Sequence, residues 1–152
     1  MNRYVFGSAG THAPADWDSR GGGMGGVVAS LLASLGFSNV FTSPPSAMLC
    51  ADPIVVTCGS WRRASSQVDG CERGVRTVDV LVCCDDPRDA EATACSIERD
   101  LRLADWTGRG AGWHARVVSA DTTAPAPRGR DGSGRWLWGF SVDLTIVRDF
   151  DE

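Results

Sequence analysis

The sequence predicts an α+β fold, a mainly antiparallel four-stranded sheet packed by two helices in the order α-β-β-α-β-β. Three observations carry this expectation. Residues 136–146 alternate large apolar with small or polar side chains at a period of two, the mark of a strand with one buried face. Residues 28–35 and 90–101 each repeat apolar side chains at helical spacing. Two β-branched runs, 54–63 and 75–84, lie between them. A chain of 152 residues fits one domain. It divides into a flexible N-terminal arm, 1–26, and a single α+β domain, 27–150.

The arm is rich in Gly, Ala, Ser and Asp and ends in Gly21-Gly22-Gly23-Met24-Gly25-Gly26, whose backbone entropy opposes regular structure. From Val27, the spacing of Val28, Leu31, Leu32 and Leu35 predicts a short amphipathic helix stopped by Gly36. Ser43-Pro44-Pro45 breaks the chain. The runs 54–63 and 75–84 then read as a hairpin around a long polar loop, 63–74. Asp85-Asp86-Pro87 opens a second helix with a carboxylate cap and proline in the first turn, and Asp89 and Glu91 suit the positive end of its dipole. Its stripe is Ala90, Ala94, Ile97 and Leu101. Residues 113–120 form a third strand. The stretch 122–134 reads as loop because of its Pro and Gly, and 136–149 as the last strand.

Composition excludes several classes of function. With 43% hydrophobic and 22% charged residues the chain is globular rather than disordered. A net charge of −4 argues against specific nucleic-acid binding, which needs a clustered basic surface to displace counterions. All 15 basic residues are arginine. A phosphate loop closed by lysine, a Schiff-base amine and a Ser-Lys pair therefore have no residue to work with. No window approaches the roughly 20 apolar residues of a membrane helix, and the start carries no apolar leader, so a soluble protein with reduced cysteines is expected.

The remaining constellations favour structure over chemistry. The glycine run 21–26 has no preceding strand and no lysine, and reads as linker rather than phosphate site. Cys83 and Cys84 end a strand, where cysteine fills core. The six cysteines contain no Cys-x-x-Cys spacing for zinc, and no metal or other cofactor is expected. His12 lies in the arm and His114 in a strand, so a Cys-His or Ser-His nucleophile would have to use His114, for which no orienting group is evident, and no catalytic residue is assigned. Asp85 and Asp86 are explained by capping. Trp61, Trp106, Trp113 and Trp136 sit at element ends, where core packing and interface use are equally good readings. The polar stretches 63–74, with Arg62 at its edge, and 121–135 carry Arg63, Arg73, Arg128, Arg130 and Arg135. Together with Trp61 and Trp136, these residues form the expected assembly interface.

The second half, from VRTVDVLVCCDD through DAEATACSIERDL and WHARVVSADT to DGSGRWLWGFSVDLTIVRD, resembles the tail terminator and minor tail proteins of long-tailed bacteriophages over about residues 54–150. The matching positions are Asp131, Gly134, Arg135, Trp136 and Arg148. The resemblance implies a structural, non-enzymatic subunit of a virion or prophage tail, assembled in the host cytoplasm. It would form a homo-oligomeric ring, a hexamer, that caps the tail tube and joins it to the head–tail connector. Such a ring closes through a heterologous, head-to-tail interface. Another connector or neck protein fits the same pattern. From a different class, a small cysteine-dependent enzyme or redox protein using His114 would require a thiolate of depressed pKa.

Overall fold

The computed structural model describes residues 23–42, 52–66, 71–106 and 115–149. In order these form α1 (Gly23–Ser34), β1 (Val40–Phe41), β2 (Ile54–Ser66), β3 (Cys71–Cys84), α2 (Pro87–Leu103), β4 (Ala115–Thr122), β5 (Ala126–Arg130) and β6 (Trp136–Asp149). The α+β class stands, but the predicted four-stranded antiparallel sheet does not. The sheet has six strands in the order β1-β2-β3-β6-β4, with β5 also pairing β6, and it is mixed because β1 runs parallel to β2.

Each departure has a local cause. β1 is two residues long, too short to carry a periodic signal. It is held by pairing Val40 with Ile54 and by the Ile54 amide donating to the Asn39 carbonyl at 2.8 Å. β5 lies within the stretch expected to be loop. Proline is excluded from central strands, where every N–H is needed, but β5 is an edge strand, and Pro127 pairs with Trp138 there. β4 and β5 lie end to end along the same side of β6. The expected long loop 63–74 is likewise mostly ladder, because β2 runs to Ser66 and β3 starts at Cys71, with β6 pairing β3 as far as Asp149.

α1 begins at Gly23, inside the run expected to be arm. Met24 continues the stripe of Val28, Leu31 and Leu32, and all four are buried, so tertiary packing overrides the poor helix propensity of glycine. The rest of the expected arm, 1–22, lies outside the described residues. The helix ends in a Schellman motif. Gly36, at φ +101°, lets the Phe37 amide reach the Leu32 carbonyl and its own amide reach Ala33. Leu35 sits on the turn and is 42% exposed rather than part of the stripe.

α2 follows its sequence signals closely. Asp86 is the N-cap and accepts from the Arg88 amide at 2.8 Å, Pro87 opens the helix, and Ala90, Ala94, Ile97 and Leu101 are its buried residues. Both helices pack on one face of the sheet, against Val56, Val78, Val80, Val82, Phe140, Val142, Leu144 and Ile146. Among the described residues the layers are therefore two, and the opposite face of the sheet carries no helix. The middle of that face is polar, with Thr77 donating to Asp143 and Ser141 to Asp79, both at 2.7 Å.

Candidate assembly surface

The eight expected interface residues fall into two groups at opposite ends of the sheet. Trp61, Arg62, Arg63 and Arg73 belong to the β2–β3 end, where Trp61 is opposite Arg76, and Arg76 in turn is opposite Leu144 of β6. Arg128, Arg130, Arg135 and Trp136 belong to the β5–β6 hairpin, where Trp136 is opposite Cys84. Eight positions separate Arg76 from Cys84 along β3, about 26 Å at strand rise. The side chain of Arg63 is outside the described residues.

At the β2–β3 end, Trp61 is half-buried against the core and lies over Gly74, whose missing side chain makes room for the indole. The Arg76 guanidinium stands 5.8 Å from the Trp61 ring and donates to the Gly59 carbonyl at 3.0 Å. Arg76 is buried, and so is Glu72, which meets Arg148 at 3.5 Å. Arg62 and Arg73 are exposed. Neither Arg76 nor Glu72 was picked out by reading the sequence, although the signal was there. In β3 they share parity with Val78, Val80 and Val82, so the alternation places them on the covered face.

At the other end, β5 and β6 are joined by the turn Asp131-Gly132-Ser133-Gly134. The Gly134 amide donates to the Asp131 carbonyl at 3.0 Å, the Asp131 amide donates to Arg135 at 2.9 Å, and Gly134 takes φ +84°. The Asp131 carboxylate organises this loop. It accepts from the amides of Arg135 (2.8 Å) and Ser133 (3.0 Å), from the Ser133 hydroxyl (3.1 Å) and from Arg135 Nε (3.0 Å). The Arg135 amide first, then the other donors, hold its pKa down at about 2, from an ordinary 3.8. Because the folded value is depressed, the associated stability is present above pH 4 and is lost as pH falls towards 2. Asp131→Asn is expected to flatten acid unfolding in that window, read as the pH dependence of the urea midpoint. An unchanged acid limb would refute the assignment.

Asp131 is thus committed to Arg135. Arg130 stacks over Trp136 at 4.2 Å, and Arg128 lies against Gly139 on the uncovered face. Both are exposed and form no ion pair among the described residues.

The other aromatics divide. Trp106 is buried in the core, and its Nε1 donates to the Leu101 carbonyl at 3.0 Å, closing the end of α2. Trp113, like His12 and His114, is outside the described residues. Cys83 and Cys84 are both buried, Cys83 beside Asp131 on the uncovered face and Cys84 in the core under the helices. Burial raises both thiols, Cys84 to about 11, the opposite of the depressed pKa that a nucleophilic thiolate needs. Cys58 and Cys95 are exposed. Alkylation of the native protein near pH 8 is expected to label Cys58 and Cys95 well before Cys83 and Cys84, as read by peptide mapping. Fast labelling of Cys83 or Cys84 would contradict it.

Among the described residues no helix is long and apolar enough to cross a membrane, and no three His, Cys, Asp or Glu side chains are grouped so as to hold a metal ion. Fold and surface together define an α+β domain in which, among the described residues, both helices lie on one face of the sheet and an Arg/Trp pair stands at each end. Compared with known proteins, the chain matches no family model and no curated protein.

Proposed function

We propose that this chain is a structural subunit of the phage tail-terminator type, with no chemistry of its own, which closes into a ring by head-to-tail contacts and joins tail tube to head. The observation that carries this reading is the placement of two different Arg/Trp clusters at opposite ends of one sheet. A two-fold dimer needs only one self-complementary patch, whereas a ring needs two distinct surfaces on each copy, one for each neighbour. Tryptophan and arginine are the residues on which interface energy concentrates, and here half-buried rings are fixed in place before any partner arrives. The raised thiols support the non-enzymatic side of the reading. The test is solution mass by light scattering over a concentration series. A closed species at a whole-number multiple of the protomer mass is expected, with a hexamer as the resemblance implies. A protein that stays monomeric to millimolar concentration, alone and with tail-tube protein added, would overturn it.

A further inference from the structure

We propose that the sheet face opposite the helices docks a second copy of this chain through a two-fold contact, in which the arginine row of each copy lies over the aspartate row of the other. This contact adds to the ring contacts and does not depend on them. The register places the residues. On β6, Val147 is flanked by Arg73 of β3 and Arg116 of β4, and Asp143 by Thr77 of β3 and Asp121 of β4. All of them share the face opposite the helices, because the alternating residues Leu144 and Ile146 of β6 and Ala115 and Val117 of β4 lie in the core. Arg73, Arg116 and Asp121 are exposed, and neither arginine has an ion pair among the described residues.

Like charges are thus gathered in rows, at a cost to the isolated sheet. Asp121 stands directly opposite Asp143, a cross-strand pair that weakens its own ladder. Asp79 adds a third carboxylate one row further along β3. Asp143 and Asp79 accept from Thr77 and Ser141, and those hydroxyls orient the carboxylates without neutralising them. On this face the nearest arginines of β3 and β4 are Arg73 and Arg116, two rows away. Positive charge brought by another molecule relieves the repulsion. A polyanion covering the arginine row would run into the aspartate row, whereas a second copy satisfies both rows at once.

The spacing of the rows makes the face self-complementary. Asp143 and Val147 are four positions apart on β6, about 13 Å at strand rise. Midway lies the row of Ser119, Thr145 and Val75. A two-fold axis across the strands along that row reverses one sheet over the other. It lays Arg116 on the second copy's Asp121, and Arg73 on the second copy's Thr77–Asp143 pair, with the reciprocal contacts across the axis. Face-to-face sheets stand about 10 Å apart, a gap that paired guanidinium and carboxylate side chains fill. Arg62, opposite Val75 at the β2 margin, meets its own copy near the axis, and its exposed side chain is long enough to turn outwards. Association by strand addition is opposed at both edges. Register shifts beside Val118 in β4 and between Cys58 and Trp61 in β2 interrupt the row of donors and acceptors that an added strand needs.

The test is sedimentation velocity on the full chain over a concentration series, comparing wild type, Arg116→Glu, Asp121→Arg and an equimolar mixture of the two variants. Circular dichroism and the melting temperature establish that each is folded. If a charge reversal misfolds, Arg116→Gln or Asp121→Asn takes its place and is expected to weaken association in the same direction. Each reversal alone is expected to move the association midpoint up by on the order of tenfold or more. The mixture is expected to bring it back towards wild type. There the introduced carboxylate of one copy meets the introduced guanidinium of the other, and across the axis Arg116 still meets Asp121. Variants that associate as wild type does, or a mixture as weak as its components, would overturn this contact and leave the ring reading intact, because that reading rests on the Arg/Trp pairs at the sheet ends. A wild type that stays monomeric to millimolar concentration would overturn the contact as well.

Discussion

Phe140→Ala is expected to lower stability by about 3–5 kcal/mol, the usual cost of removing a fully buried aromatic side chain and leaving a cavity. Phe140 is 0% exposed, sits in the middle of β6, and pairs across to Val80. Its ring lies in the one cluster that joins both helices to the sheet, beside Val142 and Leu144. With a total stability of about 5–15 kcal/mol for a domain, that loss removes much of the folded population near body temperature. Urea denaturation checks it: the midpoint falls while the slope is unchanged. Leu103→Ala is the control. Leu103 also belongs to α2 but is 70% exposed, so its truncation is expected to shift stability by less than about 0.5 kcal/mol. A loss at Phe140 as small as at Leu103 would mean that the two layers are not packed as described.

Gly74→Ala is expected to cost about 1–3 kcal/mol and, more tellingly, to displace Trp61. A Cβ at position 74 would stand 2.6 Å from the Arg62 carbonyl oxygen and 2.6 Å from the Trp61 ring. The ring can swing away, but the carbonyl belongs to the paired strand and moves only with β2. The penalty is therefore steric, not one of backbone conformation, and Trp61→Ala/Gly74→Ala recovers part of it at most. Loss of the Trp61 bed also removes the ring that faces Arg76, so tryptophan emission is expected to shift to the red. Gly132→Ala, where a Cβ meets nothing within 4 Å, is expected to be close to neutral. Equal effects at positions 74 and 132 would refute the close approach.

Much of the fold was legible because its signals are local. α2 announces itself through Asp86, Pro87 and a stripe at Ala90, Ala94, Ile97 and Leu101, and every one of those side chains takes its expected place. β6 is equally plain, since Phe140, Val142, Leu144 and Ile146 alternate and all four are buried. The start of α1 was missed because local propensity counts the glycines against a helix, whereas Met24 gains more by reaching the core. β5 was missed because proline reads as a breaker until the strand is known to lie at an edge.

The candidate surface was legible as residue types and not as a place. Arg and Trp at element ends suggested an interface, but a list of such residues carries no distances. Trp106 and Trp136 are alike in sequence context, yet one closes the end of α2 inside the core and the other bears Arg130 on its face.

What the sequence determined by itself was the α+β class, the two amphipathic helices, the caps, and the face that each residue of β6 presents, because all of these depend on neighbours within a few positions. Only the tertiary structure decided the six-stranded mixed sheet and the separation of the Arg/Trp residues into two ends. Those depend on the register between β2, β3 and β6, which in the β3–β6 ladder pairs residues as distant as Cys71 and Asp149, and no local pattern specifies it.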